Sequence, residues 1–363
     1  MGMVMTRNGV VVMRRPMLKN RGGQQVQPSS RTRPVHWLFA SDRLDAWCLL
    51  VATLLLLGLF ITLEPKWISG NTLQLLVAQY TPLALIAVAM TFSIISGHID
   101  LSPGSMVGLT GVVIGLVFTD TRDIWLALLA GLGLALCVGL LHSVLVAGLG
   151  INSVVITLGT YIWARGLCDA ANGGAPITIG SGLSQVVNAS WEGFSLTAPV
   201  VVAAFLGGSY LLKRTRFGRY SYAMGGGQIY ARRAGINVNA YTTGIFVLMA
   251  GMVAVATFIT VGQIASADPS AGTNFELDAI IAVVIGGSSL TGGTGSIGRT
   301  ALGVAFITIL NGGLTNLALA ESTFDLYSGL AFVAVLTLQV LIRRRVIRRE
   351  EFTAEANLSA SPA

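Results

Sequence analysis

Residues 124–164 read IWLALLAGLGLALCVGLLHSVLVAGLGINSVVITLGTYIWA, an unbroken run in which His142 is the one side chain able to charge near neutral pH. Crossing the ~30 Å hydrocarbon core of a bilayer takes about 20 helical residues. The stretch is long enough for two crossings, divided near Gly148–Ser153. Composition agrees, with 53% hydrophobic and 11% charged residues and a mean hydropathy of +0.73, against about 25% charged in a soluble domain. That charge deficit excludes a disordered chain, a nucleic-acid module and an ordinary cytosolic enzyme. The 44 glycines suit helices packed closely in lipid, where small residues let backbones approach.

Further apolar runs extend in both directions. Ala46–Leu63, Trp67–Gly97 with Pro82 inside it, and Leu101–Thr119 are each free of charged side chains. Gly193–Leu212 brings the crossings before Lys213 to six. Ala234–Ala267, Thr300–Ala320 and Leu326–Ile342 each supply one more, and Asp278–Leu290 a short or half-buried helix.

Nineteen of the 23 basic residues lie in three blocks, eight within 1–45, six within 213–233 with no acid among them, and five from Arg343 to Arg349. Lys and Arg accumulate on the cytoplasmic side, so all three blocks are assigned there, with six and then four crossings between them. The expected fold is all-α: a polytopic transmembrane bundle of about ten helices, short or broken ones included, with both termini cytoplasmic. The expected domains are a disordered basic tail over 1–45, a transmembrane domain over 46–342 with a cytoplasmic segment at 213–240, and a tail over 343–363. Because each basic block abuts an apolar run, topology accounts for it. Membrane lipid is an expected partner and nucleic acid is not.

Two motifs invite a different reading. Residues Gly293–Thr300 spell GTGSIGRT, which satisfies GxGxxG and nearly a P-loop. A P-loop needs a lysine at the phosphates, and a dinucleotide fold needs alternating strands and amphipathic helices; here the flanks are apolar spans. No GxSxG elbow occurs and no histidine has a paired nucleophile, so no catalytic residue is expected. The cysteines Cys48, Cys137 and Cys168 lack CxxC spacing, and three scattered histidines suggest no metal site.

Gly97-His98-Ile99-Asp100-Leu101-Ser102-Pro103-Gly104 is echoed by Gly286-Gly287-Ser288-Ser289-Leu290-Thr291-Gly292-Gly293. Each ends one apolar run and opens another. Broken helices at matching positions in two halves point to a transport path, and non-helical backbone at membrane depth belongs where it is buried in protein or lines a cavity. Asp100 is read in two ways, as a group facing a polar interior or as the cap of a helix beginning near Ser102 at the cytoplasmic surface. At membrane depth its charge costs about 2.5–3.5 kcal/mol on insertion scales. Candidate path-lining residues are Gln79, His98, Asp100, Ser102, Thr157, Ser289, Asn311 and Asn316.

The mid-chain stretch Arg216–Ile236 is short, basic and glycine-punctuated. Gln228–Ala234 allows about two helical turns before Gly235 stops them. It reads either as a solvated loop or as a short helix passing force from a cytoplasmic partner to the bundle.

At this point the chain resembles the permease subunit of bacterial sugar-type ABC importers, over residues 70–342. The resemblance rests on Gly97–Gly104, on Thr157-Leu158-Gly159-Thr160 followed by Arg165-Gly166, on Gly218 to Ile236, on Gly286–Gly295 and on Asn311-Gly312-Gly313-Leu314. His98 stands where the family has glycine, Pro103 where it has valine, Gly227 where asparagine is usual, Thr294 where arginine is common and Ser153 where proline is frequent. The resemblance implies an inner-membrane, multi-pass transport subunit without enzymatic activity. It implies docking on an ABC ATPase subunit that binds ATP and Mg, so that this chain carries no cofactor. It also implies a periplasmic solute-binding protein and a second permease copy or paralogue. Coupling to the ATPase would fall to Gly218, Gly225, Gly226, Gln228, Ala231, Arg232, Arg233 and Gly235. A nucleoside or branched-chain amino-acid permease is the nearest alternative, and a secondary transporter without an ATPase the next.

Overall fold

The computed structural model describes residues 3–5, 11–13, 36–67, 69–191, 194–195, 197–317, 326–338 and 340–341. The chain divides into two units, residues 1–41 and 42–363. In the first, β1 (Met3–Met5) pairs antiparallel with β2 (Val11–Met13). Helix α1 (His36–Leu63) begins there, ahead of the expected boundary at Ala46, and continues into the second unit. The rest of the tail expected over 1–45, and all of that over 343–363, lies outside the described residues.

The second unit is helical nearly throughout. A 3-10 turn (Pro65–Trp67) leads to α2 (Gly70–Ile95), α3 (Pro103–Thr121), α4 (Ile124–Ser143, extended by a π-helical turn Val144–Gly148), α5 (Ser153–Asn172) and α6 (Ser181–Val187). Then come α7 (Thr197–Arg214), α8 (Arg216–Gly225), α9 (Gln228–Arg233), α10 (Val238–Ile264), α11 (Phe275–Ile285) and α12 (Ile297–Asn316), followed by α13 (Leu326–Leu338). Two-residue strands β3 (Ile177–Thr178) and β6 (Ser266–Ala267) pair antiparallel, as do β4 (Ser190–Trp191) and β5 (Phe194–Ser195). The fold is therefore nearly all-α, with small ribbons that apolar periodicity does not reveal.

Each of the ten apolar runs falls on a helix, and the division near Gly148–Ser153 falls between α4 and α5. Among the described residues, six helices are long and apolar enough to cross a membrane: 45–63, 72–95, 103–121, 124–148, 238–264 and 297–316. Of the other four, three fall short for physical reasons. α5 carries Arg165 and Asp169, and α7 ends on Lys213 and Arg214. α11 runs for only 11 residues, and the described part of α13 is Leu326–Leu338.

α2 is the central helix. Every residue from Thr81 to Ser96 is buried, against α7, α10, α11 and α12, which is the signature of a helix apolar on all sides. Its second half continues through Pro82. α1 and α4 are peripheral, with Leu55 70%, Leu129 64% and Trp125 73% exposed; such a width of bare apolar side chains marks a surface for lipid or another chain.

A glycine groove on α3 explains how α11 can be short. A Cβ on Gly115 would meet Ala267 Cβ at 2.8 Å, one on Gly108 would meet Pro269 O at 2.7 Å, and one on Gly104 would collide with Gly272 O and the Glu276 carboxylate. The non-helical segment 266–274 is thus laid along one face of α3, and Arg165 of α5 holds it there, Nη1 donating to Pro269 O (2.7 Å) and Ala271 O (3.3 Å). α11 starts where that segment ends, beside the first turn of α3.

Candidate functional site

The mid-chain segment folds as two short helices. α8 buries Gly218, Ser221 and Met224 and leaves Arg216 and Arg219 exposed. α9 is preceded by Gly227, which has φ +144° and no side chain with which to cap it. It ends in a Schellman turn, Gly235 N–H to Arg232 O (3.0 Å) and Ile236 N–H to Ala231 O (3.1 Å), with Gly235 at φ +83°, a conformation that glycine adopts without strain. Ala231 is buried with Met224, Val238 and Ile245, whereas Ile229, Tyr230, Arg232 and Arg233 are exposed. Arg232 donates from Nη2 to Asn239 Oδ1 (3.1 Å).

Three stretches of backbone converge where α8 gives way to α9. A Cβ on Gly225 would collide with Ile95 O and Gly293 N, and one on Gly292 would meet Gly225 Cα at 2.9 Å and Gly97 Cα at 3.1 Å. The Gly293 N–H donates to Ile95 O (2.8 Å) and the Tyr222 hydroxyl to Gly295 O (2.8 Å). The two breaks that echo each other in sequence therefore meet in space, with the mid-chain segment wedged against both. The nucleotide-like GTGSIGRT stretch is part of this junction, and among the described residues no βαβ unit surrounds it.

The first break is polar and sealed. His98, Asp100, Ser102 and Thr157 are all buried. Asp100 Oδ1 accepts from Ser102 N (2.9 Å) and Ser102 Oγ (2.7 Å). Hydrogen bonds involving a charged group are worth roughly 1.5–3 kcal/mol each, enough to offset much of the burial cost. Asp100 is 1% exposed, so it ties a buried turn and is not a cap at a water-facing surface. α5 supplies the other acceptors: Ser153 Oγ takes Ile99 N–H (3.3 Å) and Thr157 Oγ1 takes Leu101 N–H (3.0 Å). His98 Nε2 lies 3.4 Å from Gln228 Nε2 and 3.3 Å from Thr242 Oγ1. Burial pushes its imidazole down to about 4, so the ring is neutral near pH 7. The Phe246 ring packs against both it and His142, which pairs with Thr160 through Nε2 and Oγ1 at 2.7 Å.

The remaining path candidates are not part of this centre. Gln79 and Asn316 are exposed on α2 and α12. Asn311 is half-buried and accepts from Ser328 Oγ (2.9 Å). Ser289 sits in the second break, sharing a hydrogen bond with Thr291 Oγ1 (2.8 Å). Sequence reasoning missed Ser153, Thr160, His142, Thr242 and Glu276. A signal existed for α5, where Ser153, Thr157 and Thr160 recur at helical spacing on an otherwise apolar face. Glu276 had none, because its burial comes from the packing of α11 against Gly104.

Comparison with known proteins places this architecture. The family model described as branched-chain amino acid transport system / permease component matches residues 72–336. The ribose import permease protein RbsC of Escherichia coli K12 is 34% identical over 300 residues, covering 81% of this chain and 92% of the relative. RbsC of Haemophilus influenzae is 33% identical over 276 residues, 75% of this chain and 85% of the relative. The autoinducer 2 import system permease protein LsrC of Photorhabdus luminescens is 30% identical over 313 residues, 86% and 94%. No solved structure matches significantly. Both breaks and the short helices wedged against them fall inside the matched region, and the protein belongs to the branched-chain amino acid transport system / permease component family.

Proposed function

We propose that this chain is the membrane permease subunit of an ATP-driven importer of the bacterial inner membrane, forming the path for a sugar or related small polar solute by alternating access. The observation that carries the reading is the junction in which Gly225 touches both Ile95 and Gly293 through backbone atoms. Close-packed interiors transmit strain, so a displacement of α8 and α9 has no slack before it reaches the end of α2 and the second break. An ABC ATPase holding ATP and Mg docks on the exposed side of α9, where Ile229 and Tyr230 offer apolar contact and Arg232 and Arg233 offer charge. A periplasmic binding protein delivers the solute at the opposite face, and a second permease copy or paralogue completes the path. In this reading the ten apolar helices make an even set of crossings and half-crossings, with both termini cytoplasmic. Gly218, Gly225, Gly226, Gln228, Ala231 and Gly235 shape the coupling unit, and His98, Asp100, Ser102, Thr157 and Ser289 line the two breaks.

The sugar assignment follows the ribose and autoinducer 2 relatives. The description of the family favours a second reading, a branched-chain amino acid as solute. Proteoliposomes holding the permease with its ATPase and binding protein test both. The expected result is uptake of labelled D-ribose that requires ATP, with no uptake of labelled leucine. Arg232→Ala should depress that uptake while leaving insertion intact. Uptake by the permease alone, driven by an ion gradient, defeats the proposal.

A further inference from the structure

α9 is six residues long, too short to be stable by itself, and Gly227 offers it no side-chain cap. Something else must hold its first turn. Ala231 anchors the middle of the helix through burial. At its start, Gln228 reaches across to His98, which is 6% exposed and belongs to the α2–α3 break. Two donors converge on His98 Nε2, the Gln228 amide at 3.4 Å and the Thr242 hydroxyl of α10 at 3.3 Å. An amide nitrogen cannot accept, so Nε2 is the acceptor and the ring proton resides on Nδ1. The imidazole is thereby the meeting point of the α9 start, the α10 flank and the break.

The second break makes no such link. Its corresponding residue is Ser288, which follows the helix-ending glycine as His98 does and is 5% exposed, and its Oγ finds no hydrogen-bond partner among the described residues. Both breaks contact the mid-chain segment through backbone, but at the start of α9 the described side-chain link comes from the first.

We infer that His98 is a positioning residue of the coupling path, its Nε2 holding the first residue of α9 to the break so that movement of α9 is passed to Asp100, Ser102 and the start of α3. The inference rests on the importer reading above and adds a residue with a defined role to it.

Three single variants and one double variant test it in the complex of permease, ATPase and binding protein. His98→Leu keeps bulk and removes the acceptor; His98→Gln places an amide oxygen near the position of Nε2; Gln228→Ala removes the donor from a half-buried site where truncation spares the core. Two readouts are taken: amide exchange across residues 228–234, and labelled D-ribose taken up per ATP hydrolysed in proteoliposomes. The expected result is at least tenfold faster exchange in α9 and a severalfold lower uptake-to-ATP ratio in His98→Leu and in Gln228→Ala. His98→Gln stays near wild type, and the His98→Leu/Gln228→Ala double variant is no worse than either single. Unchanged exchange in Gln228→Ala, unchanged ratios in both single variants, or losses that multiply in the double variant overturn the inference. If His98→Leu fails to fold, Gln228→Ala decides alone. Absence of ATP-driven ribose uptake by the unmutated complex counts against the solute or importer reading, and the exchange measurement then still decides whether His98 anchors α9.

Discussion

The breaks at 97–104 and 286–295 leave their helices by the same turn and then part company. Gly97 and Gly287 both take positive φ, +83° and +82°. Gly97 N–H bonds Ile94 O and His98 N–H bonds Ser93 O, as Gly287 N–H bonds Val284 O and Ser288 N–H bonds Val283 O. Further along, Asp100 Oδ1 accepts from Ser102 N, and Ser289 Oγ accepts from Thr291 N at 3.3 Å. The gapless sequence match is therefore right across this second turn and one residue out at the glycine, the first break holding Ile99 as an extra residue. The first break is sealed by α5 and enters α3 at once through Pro103. The second leaves Leu290 49% exposed and runs on past Gly293 before α12 begins at Ile297. A carboxylate serves where protein must supply every partner, because a charge-assisted bond strengthens as water is excluded. A hydroxyl suffices where the turn is open.

The largest expected effect comes from closing the gap between the breaks. Gly225→Val forces a side chain into the Ile95 and Gly293 backbones and should lower stability by about 3 kcal/mol or more, abolishing transport. Gly226→Ala, whose Cβ would stand 3.5 Å from its nearest neighbour, should stay within about 0.5 kcal/mol of wild type. Equal melting temperatures for the two in detergent would show that the junction is loose.

Next comes the pair of turns. Asp100→Ala leaves Ser102 N–H and Oγ without their acceptor in a buried site and should cost about 1–3 kcal/mol, whereas Ser289→Ala should cost under about 1 kcal/mol. Thermal unfolding of both variants ranks them, and the reverse order would break the distinction drawn between the sealed and the open turn.

The first break should also respond to acid. A base held down to about 4 in the folded chain, against 6.5 unfolded, makes the unfolded state bind more protons, so stability falls as pH drops below 6.5. The loss attributable to His98 is about 1 kcal/mol by pH ~5.5. His98→Gln should lose less than wild type over the same range, a difference that pH-resolved melting curves report. Gly235→Ala acts on backbone conformation alone: a Cβ there meets nothing within 4 Å, so only the left-handed backbone strain of about 1 kcal/mol remains, visible as fraying of α9 in amide exchange and as reduced uptake.

Membership of the helical membrane class, the positions of the ten apolar helices, the division near Gly148–Ser153 and the stop of α9 at Gly235 are determined by sequence alone. They follow from length, apolarity and backbone conformational preference, which act over a few neighbouring residues. The echo between the two breaks is equally legible, though its one-residue offset is not, since Ile99 N–H is satisfied by Ser153 of α5, a partner remote along the chain. Only the tertiary structure decided that both breaks press on Gly225, that segment 266–274 lies in the Gly104–Gly115 groove, and that His98 joins α9 and not the far side of the bundle. Each depends on which backbones can approach within contact distance, a property of helices packed against one another that no local pattern along the chain encodes.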